Sequence, residues 1–174
     1  MNRFRIFALV VGLTDGVLTA LTLASGRIVD SGQPVTAGLA LRVALASSLS
    51  GTFVFFTADY VRQRSEIVHA EKQLNLRREG HYAARRLARA ILRDSVKASM
   101  LASVCNFAGA ISPLMAGALV PSIPTLSIAV ALVFLGAFGF ALAGITRRNR
   151  FAWSAALIGC GGALTAAGIV LRIV

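Results

Sequence analysis

The run Thr57-Ala58-Asp59-Tyr60-Val61-Arg62-Gln63-Arg64-Ser65-Glu66-Ile67-Val68-His69 closes an apolar stretch and opens the most charged part of the chain, with no Gly or Pro between. Nothing in it breaks a helix, so the spacing predicts a helix that leaves an apolar medium and continues into water. Upstream, the apolar run from about Val35 to Tyr60 is long enough to cross a hydrocarbon core of about 30 Å. Downstream, ten of the eighteen Lys and Arg lie between Arg62 and Lys97.

The composition excludes a soluble domain. The chain has 174 residues, is 56% hydrophobic and only 14% charged, and its mean hydropathy is +0.74. That is more apolar surface than a soluble fold of this size can bury. The net charge of +11 would suggest nucleic acid in a soluble protein. In a membrane protein it reads as topology instead, because basic loops stay cytoplasmic and face anionic lipid. No nucleic-acid partner is expected.

Outward from the junction, four more spans follow. Phe4 to Ser25 is the first, and Asp15 in its middle argues against a cleaved signal peptide. Gly26 to Gln33 has a turn composition, and Pro34 suits the first turn of the second span. A charged helix is expected from Val61 to Glu79, a break at Gly80 and a basic helix to about Arg93. The third span runs from near Val96 to the Pro121-Ser122-Ile123-Pro124 turn. The fourth covers Thr125 to Ile145, and the fifth Phe151 to Leu171 after Arg147-Arg148-Asn149-Arg150.

The expected fold is therefore an all-α integral membrane protein: five transmembrane helices with a cytoplasmic helical insert between the second and third. Residues 1–60 hold the first two helices, 61–95 the insert and 96–174 the last three. Counting Lys and Arg in the loops puts the N-terminus in the cytoplasm and the C-terminus on the opposite side. With no long targeting extension, the expected location is a prokaryotic plasma (inner) membrane. Cys105 and Cys160 lie inside apolar segments, without the spacing of a zinc or redox site.

Ionisable groups inside the membrane are few. Asp15 and Arg42 lie within hydrocarbon depth and Asp59 near its edge, and such a charge costs about 2.5–3.5 kcal/mol at mid-helix even on the lenient insertion scale. Thr19 and Thr22 extend a polar stripe from Asp15, while Gly12 and Gly16 form a Gly-x-x-x-Gly face for close packing within the chain or at a dimer seam. Pairing to Arg42 is the structural alternative for Asp15. Ser48, Thr52, Phe55 and Asp59 fall on one line of the second span, and Ser99, Ser103 and Asn106 on one line of the third. Such oxygen-rich stripes can solvate a hard cation or merely join helices. In the insert, Glu66 and His69 are one turn apart, and Glu71, Glu79 and His81 add further candidate ligands among many cations.

These motifs in this order resemble the vacuolar iron transporter (VIT) family. Gly12-Leu13-Thr14-Asp15-Gly16 matches its Gly-Leu-x-Asp-Gly of the first span. Ala58-Asp59-Tyr60-Val61-Arg62-Gln63-Arg64-Ser65 resembles its Gly-Glu-Tyr-Val-Ser-x-Arg-Ser at the junction, and Asn106-Phe107-Ala108-Gly109-Ala110-Ile111-Ser112-Pro113 is also similar. The resemblance implies a homodimeric carrier exporting ferrous iron or manganese from the cytoplasm in exchange for protons, with no permanently bound cofactor. It puts Asp15 at the intramembrane ligand and proton site, and Asp59 at the junction acid, one methylene shorter than the family's Glu.

The expected transport path holds Asp15, Thr19, Thr22, Ser48, Thr52, Asp59 and Asn106. The expected metal ligands are Asp15, Asp59, Glu66, His69, Glu71 and Glu79. Two departures stand out: Phe55 occupies a position where the family often has a Met, and the insert is rich in Arg where the family is rich in Glu. They favour the alternative of a non-transporting relative whose basic insert binds anionic lipid or an acidic partner. No nucleophile–base pair, paired His ligands or nucleotide loop points to an enzyme.

Overall fold

The computed structural model describes residues 3–30, 35–73, 81–123, 125–146 and 149–171. They form five helices: α1 (Arg3–Asp30), α2 (Ala37–Gln73), α3 (His81–Leu119), α4 (Leu126–Thr146) and α5 (Arg150–Leu171). There is no strand among the described residues. Each helix contains a stretch long and apolar enough to cross a membrane: Ile6–Arg27, Ala37–His69, Arg89–Leu119, Leu126–Gly144 and Arg150–Val170.

The junction read first from the sequence is continuous helix. α2 has 37 residues, which at 1.5 Å per residue is about 55 Å, nearly twice a hydrocarbon core. α3 has 39 residues and also runs without interruption. The expected separate basic helix ending near Arg93 is not present. Asp94-Ser95 contains no helix breaker, and Ser95 is fully buried against α2, so packing holds the helix through this point. α1 likewise continues past its expected end at Ser25, through a buried Gly26 to Asp30. The expected break at Gly80 and the candidates Glu79, Pro34, Arg147 and Arg148 lie outside the described residues.

α3 is the centre of the bundle. It packs closely on both α1 and α2, which touch each other little, and the α4–α5 hairpin lies against α1. The α3–α4 turn is short, closed by Ile123 N–H on the Val120 carbonyl at 3.2 Å and Leu126 N–H on the Ile123 carbonyl at 3.0 Å. Apolar clusters join the layers: Val17 and Leu21 of α1 with Ala131 and Leu135 of α4, and Ala20 with Val35, Ala40 and Leu114. Near the charged ends of α2 and α3, Phe55 packs between Ala8 and Ala102.

The α1–α3 contact is backbone on backbone. A side-chain carbon at Gly12 would overlap the Ala102 carbonyl, one at Gly16 the Asn106 carbonyl, and one at Gly109 the Leu13 carbonyl. The Gly-x-x-x-Gly face is therefore used inside the chain, against α3. Small residues permit this approach, and packing is the main source of helix association in lipid. Gly16→Ala should lower stability by about 1–3 kcal/mol, because the neighbouring backbone cannot yield. Gly159 of α5 has open space where its side chain would be, so Gly159→Ala should stabilise by up to about 1 kcal/mol. Thermal unfolding of the two variants in detergent measures both.

Candidate functional site

Because Gly16 rests on the Asn106 carbonyl, Asp15 beside it reaches the Asn106 side chain. Asn106 is buried, and its Nδ2 donates to Asp15 Oδ2 at 2.6 Å and to the Ser47 carbonyl at 3.3 Å. Its Oδ1 accepts from Ser47 Oγ at 3.1 Å, so every polar atom of the amide is used. Ser47 Oγ also lies 3.1 Å from Thr19 Oγ1, which donates to the Asp15 carbonyl at 2.9 Å. Gly51 of α2 leaves room for the group: a side chain there would meet Asn106 Nδ2 and Asp15 Oδ2. Three helices thus converge on one oxygen-rich node near the middle of their apolar stretches.

The node is open on one side. Asp15 is exposed, as are Val11 and Thr22 on the same flank of α1 and Ser50 and Val54 on α2. Only Asp15 Oδ2 has a side-chain partner among the described residues. The carboxylate is fixed through Oδ2, and the residue is otherwise exposed on a flank where α1 and α2 touch each other little. Arg42 is exposed on α2, and the partner of Asp15 is Asn106 instead.

Two turns along α2 from Gly51, the second acid is held very differently. Asp59 is 5% exposed. Its Oδ1 accepts from Arg62 Nη2 at 2.9 Å, and its Oδ2 accepts from Gln63 Nε2 at 2.7 Å and Ser95 Oγ at 2.8 Å. Gln63 also reaches Ser95 at 3.0 Å, and Arg62 bridges on to Glu66 at 3.0 Å. The cluster fastens α2 to α3 and satisfies both carboxylate oxygens. Between the two acids, Phe55 is buried against Ala8 and Ala102, its ring 6.1 Å from that of Phe7. The order along the helices is an oxygen-rich node, an apolar plug and a polar latch.

The structure brings Asp15, Thr19 and Asn106 together and separates the remaining candidates from them. Thr22 is exposed and bonds the Thr19 carbonyl. Ser48 and Thr52 turn their hydroxyls onto the Leu45 and Ser48 carbonyls of their own helix, and Ser103 bonds the Ser48 carbonyl across the α2–α3 seam. Glu66 is paired with Arg62, and His69 is exposed on the same helix. The side chain of Glu71 and all of Glu79 lie outside what is described. Among the described residues, no three His, Cys, Asp or Glu side chains gather to hold a metal ion.

Sequence reading missed Ser47, Gly51, Gln63 and Ser95. Ser47 and Gly51 are one turn apart on α2, and a glycine one turn from a serine at mid-span was the available signal.

No family model matches the chain, and no curated protein matches it.

The latch is testable by stability. Arg62 is 43% exposed, so Arg62→Ala should cost about 1–2 kcal/mol, less than removing a partner from a fully buried pair. Arg64→Ala, an exposed cation two residues on, should change stability by no more than about 0.5 kcal/mol. Thermal unfolding in detergent compares them.

Proposed function

We propose that the chain is a carrier exporting a divalent cation, Fe2+ or Mn2+, from the cytoplasm in exchange for protons, working as a homodimer. The observation that carries this reading is the exposed carboxylate of Asp15 at half depth, anchored by Asn106 through one oxygen. A carboxylate facing hydrocarbon is costly, so a structure retains one where it meets water, an ion or another polypeptide. A second copy covering the open flank of α1 and α2 would shield it, and the resemblance in Gly12–Gly16 and Asp59–Ser65 supports the same arrangement.

The donors at the node are a carboxylate and hydroxyls, hard oxygens that suit Mn2+ and Fe2+. With Phe55 on α2, no thioether is added to them. Asp15 would hold a proton in one carrier state and the cation in the other, which couples the two fluxes. In the arrangement described, Phe55, packed on Ala8 and Ala102, and the Asp59–Ser95–Gln63–Arg62 cluster lie between the node and the charged ends of the helices. This fits a carrier closed toward the cytoplasm, and dewetted apolar constrictions are a known form of gate. Export then requires Phe55 and the latch to yield in the other state.

Reconstituted vesicles loaded with a metal-sensing dye test the proposal. Wild type should take up Mn2+ and Fe2+ with counterflow of protons, and Asp15→Asn should lose both fluxes at least tenfold. The asparagine is isosteric and can still accept from Asn106, so the variant should insert and unfold like wild type. Unchanged flux in Asp15→Asn, or none in wild type, would overturn the reading.

A further inference from the structure

We propose that the outward face of α3 carries a binding site for anionic phospholipid headgroups, built from Arg89, Arg93 and Lys97. This site does not depend on whether the chain carries ions. Its basis is where the face of the helix changes character. One side of α3 is buried in the bundle along Ile91, Ser95, Ser99, Ala102 and Asn106. The opposite side carries, at successive turns, the exposed Arg89, Arg93 and Lys97, followed by Met100 at 63% and Val104 at 67% exposure.

One continuous face thus carries cations over the two turns from Arg89 to Lys97 and is apolar directly afterwards. A lipid-facing helix changes this way where it leaves the hydrocarbon, so the membrane boundary falls between Lys97 and Met100. Eight residues separate Arg89 from Lys97, about 12 Å of helix. The headgroup region on one side of a bilayer is about 5–8 Å deep, so Lys97 and Arg93 stand within it and Arg89 just above.

The face is amphiphilic at that level. Leu92 and Val96 are exposed beside the cations, so the site offers apolar contact to the upper acyl chain and donors to the phosphate. Asp94, also exposed, lies at the edge of the stripe, about 60° round the helix from Lys97. It leaves the face with a net positive charge. The α2 cations Arg62 and Arg64 belong to the neighbouring helix, and Arg62 is engaged with Asp59 and Glu66. The basic groups on α3 are the ones set out along a single lipid-facing line. Anionic lipid is the occupant because these groups stand at headgroup depth, whereas a soluble acidic partner or nucleic acid would have to displace lipid to reach Lys97.

The test is lipid enrichment. The full chain is reconstituted in nanodiscs of equal phosphatidylglycerol and phosphatidylcholine, and the lipids retained after delipidation are measured by native mass spectrometry. Wild type should retain phosphatidylglycerol over phosphatidylcholine on the order of tenfold, given several cations acting at the surface. Arg89→Gln with Arg93→Gln and Lys97→Gln should bring the ratio near unity. The matched variant Arg42→Gln with Arg64→Gln and Arg150→Gln, which loses the same charge elsewhere, should keep it.

Equal loss in both variants would mean net charge alone is at work and would overturn the site, as would the absence of enrichment in wild type. Should the stripe variant not fold, single Gln substitutions at Arg93 and Lys97 give the same comparison. A further wild-type reading is the rise in unfolding temperature on adding phosphatidylglycerol, which should fade at high salt. No such rise would also overturn the site.

Discussion

The contact between α1 and α3 sets the rest of the structure. Gly12 and Gly16 bring α1 onto the α3 backbone at Ala102 and Asn106, and Gly109 brings α3 onto Leu13. In lipid there is little hydrophobic drive to associate helices, so the gain comes from close packing and from hydrogen bonds that would otherwise go unmade. The close approach supplies both. It buries the small residues, and it delivers Asn106 to Asp15 at a distance where the amide becomes the carboxylate's donor.

Once α3 is seated on α1, α2 completes the arrangement from the other side. Gly51 leaves the space that the Asp15–Asn106 pair occupies, and Ser47 closes the remaining bonds of the amide. Farther along the same seam, Asp59 is held by Arg62, Gln63 and Ser95. The two acids are chemical equals in sequence and opposites in place. Both oxygens of Asp59 are engaged by side-chain donors in a buried cluster, whereas Asp15 is exposed and has a side-chain partner at Oδ2 alone among the described residues.

This contrast explains why site legibility differed along the chain. Asp15 stood out because a lone acid in a long apolar run has few innocent explanations, and its partner Asn106 lay on a polar line of the third span. Asp59 looked similar from the sequence alone. Its saturation depends on Ser95, which lies thirty-six positions away and carries no signal until α3 is laid against α2. Ser47 was passed over for Ser48 because a one-residue step turns a side chain by about 100°, and the sequence does not say which of two adjacent serines faces α1.

The sequence by itself determined five apolar helices, their order, the short turn before α4 and the charged stretch after Tyr60, because length and hydropathy decide these locally. It placed the helix boundaries of α4 and α5 to within a residue or so. Only the tertiary structure decided that α3 runs unbroken through Asp94-Ser95, that the glycine face of α1 is spent on α3, and that Asp15 is exposed while Asp59 is buried. Those are outcomes of which helix lies against which, and the partners that decide them are distant in the chain.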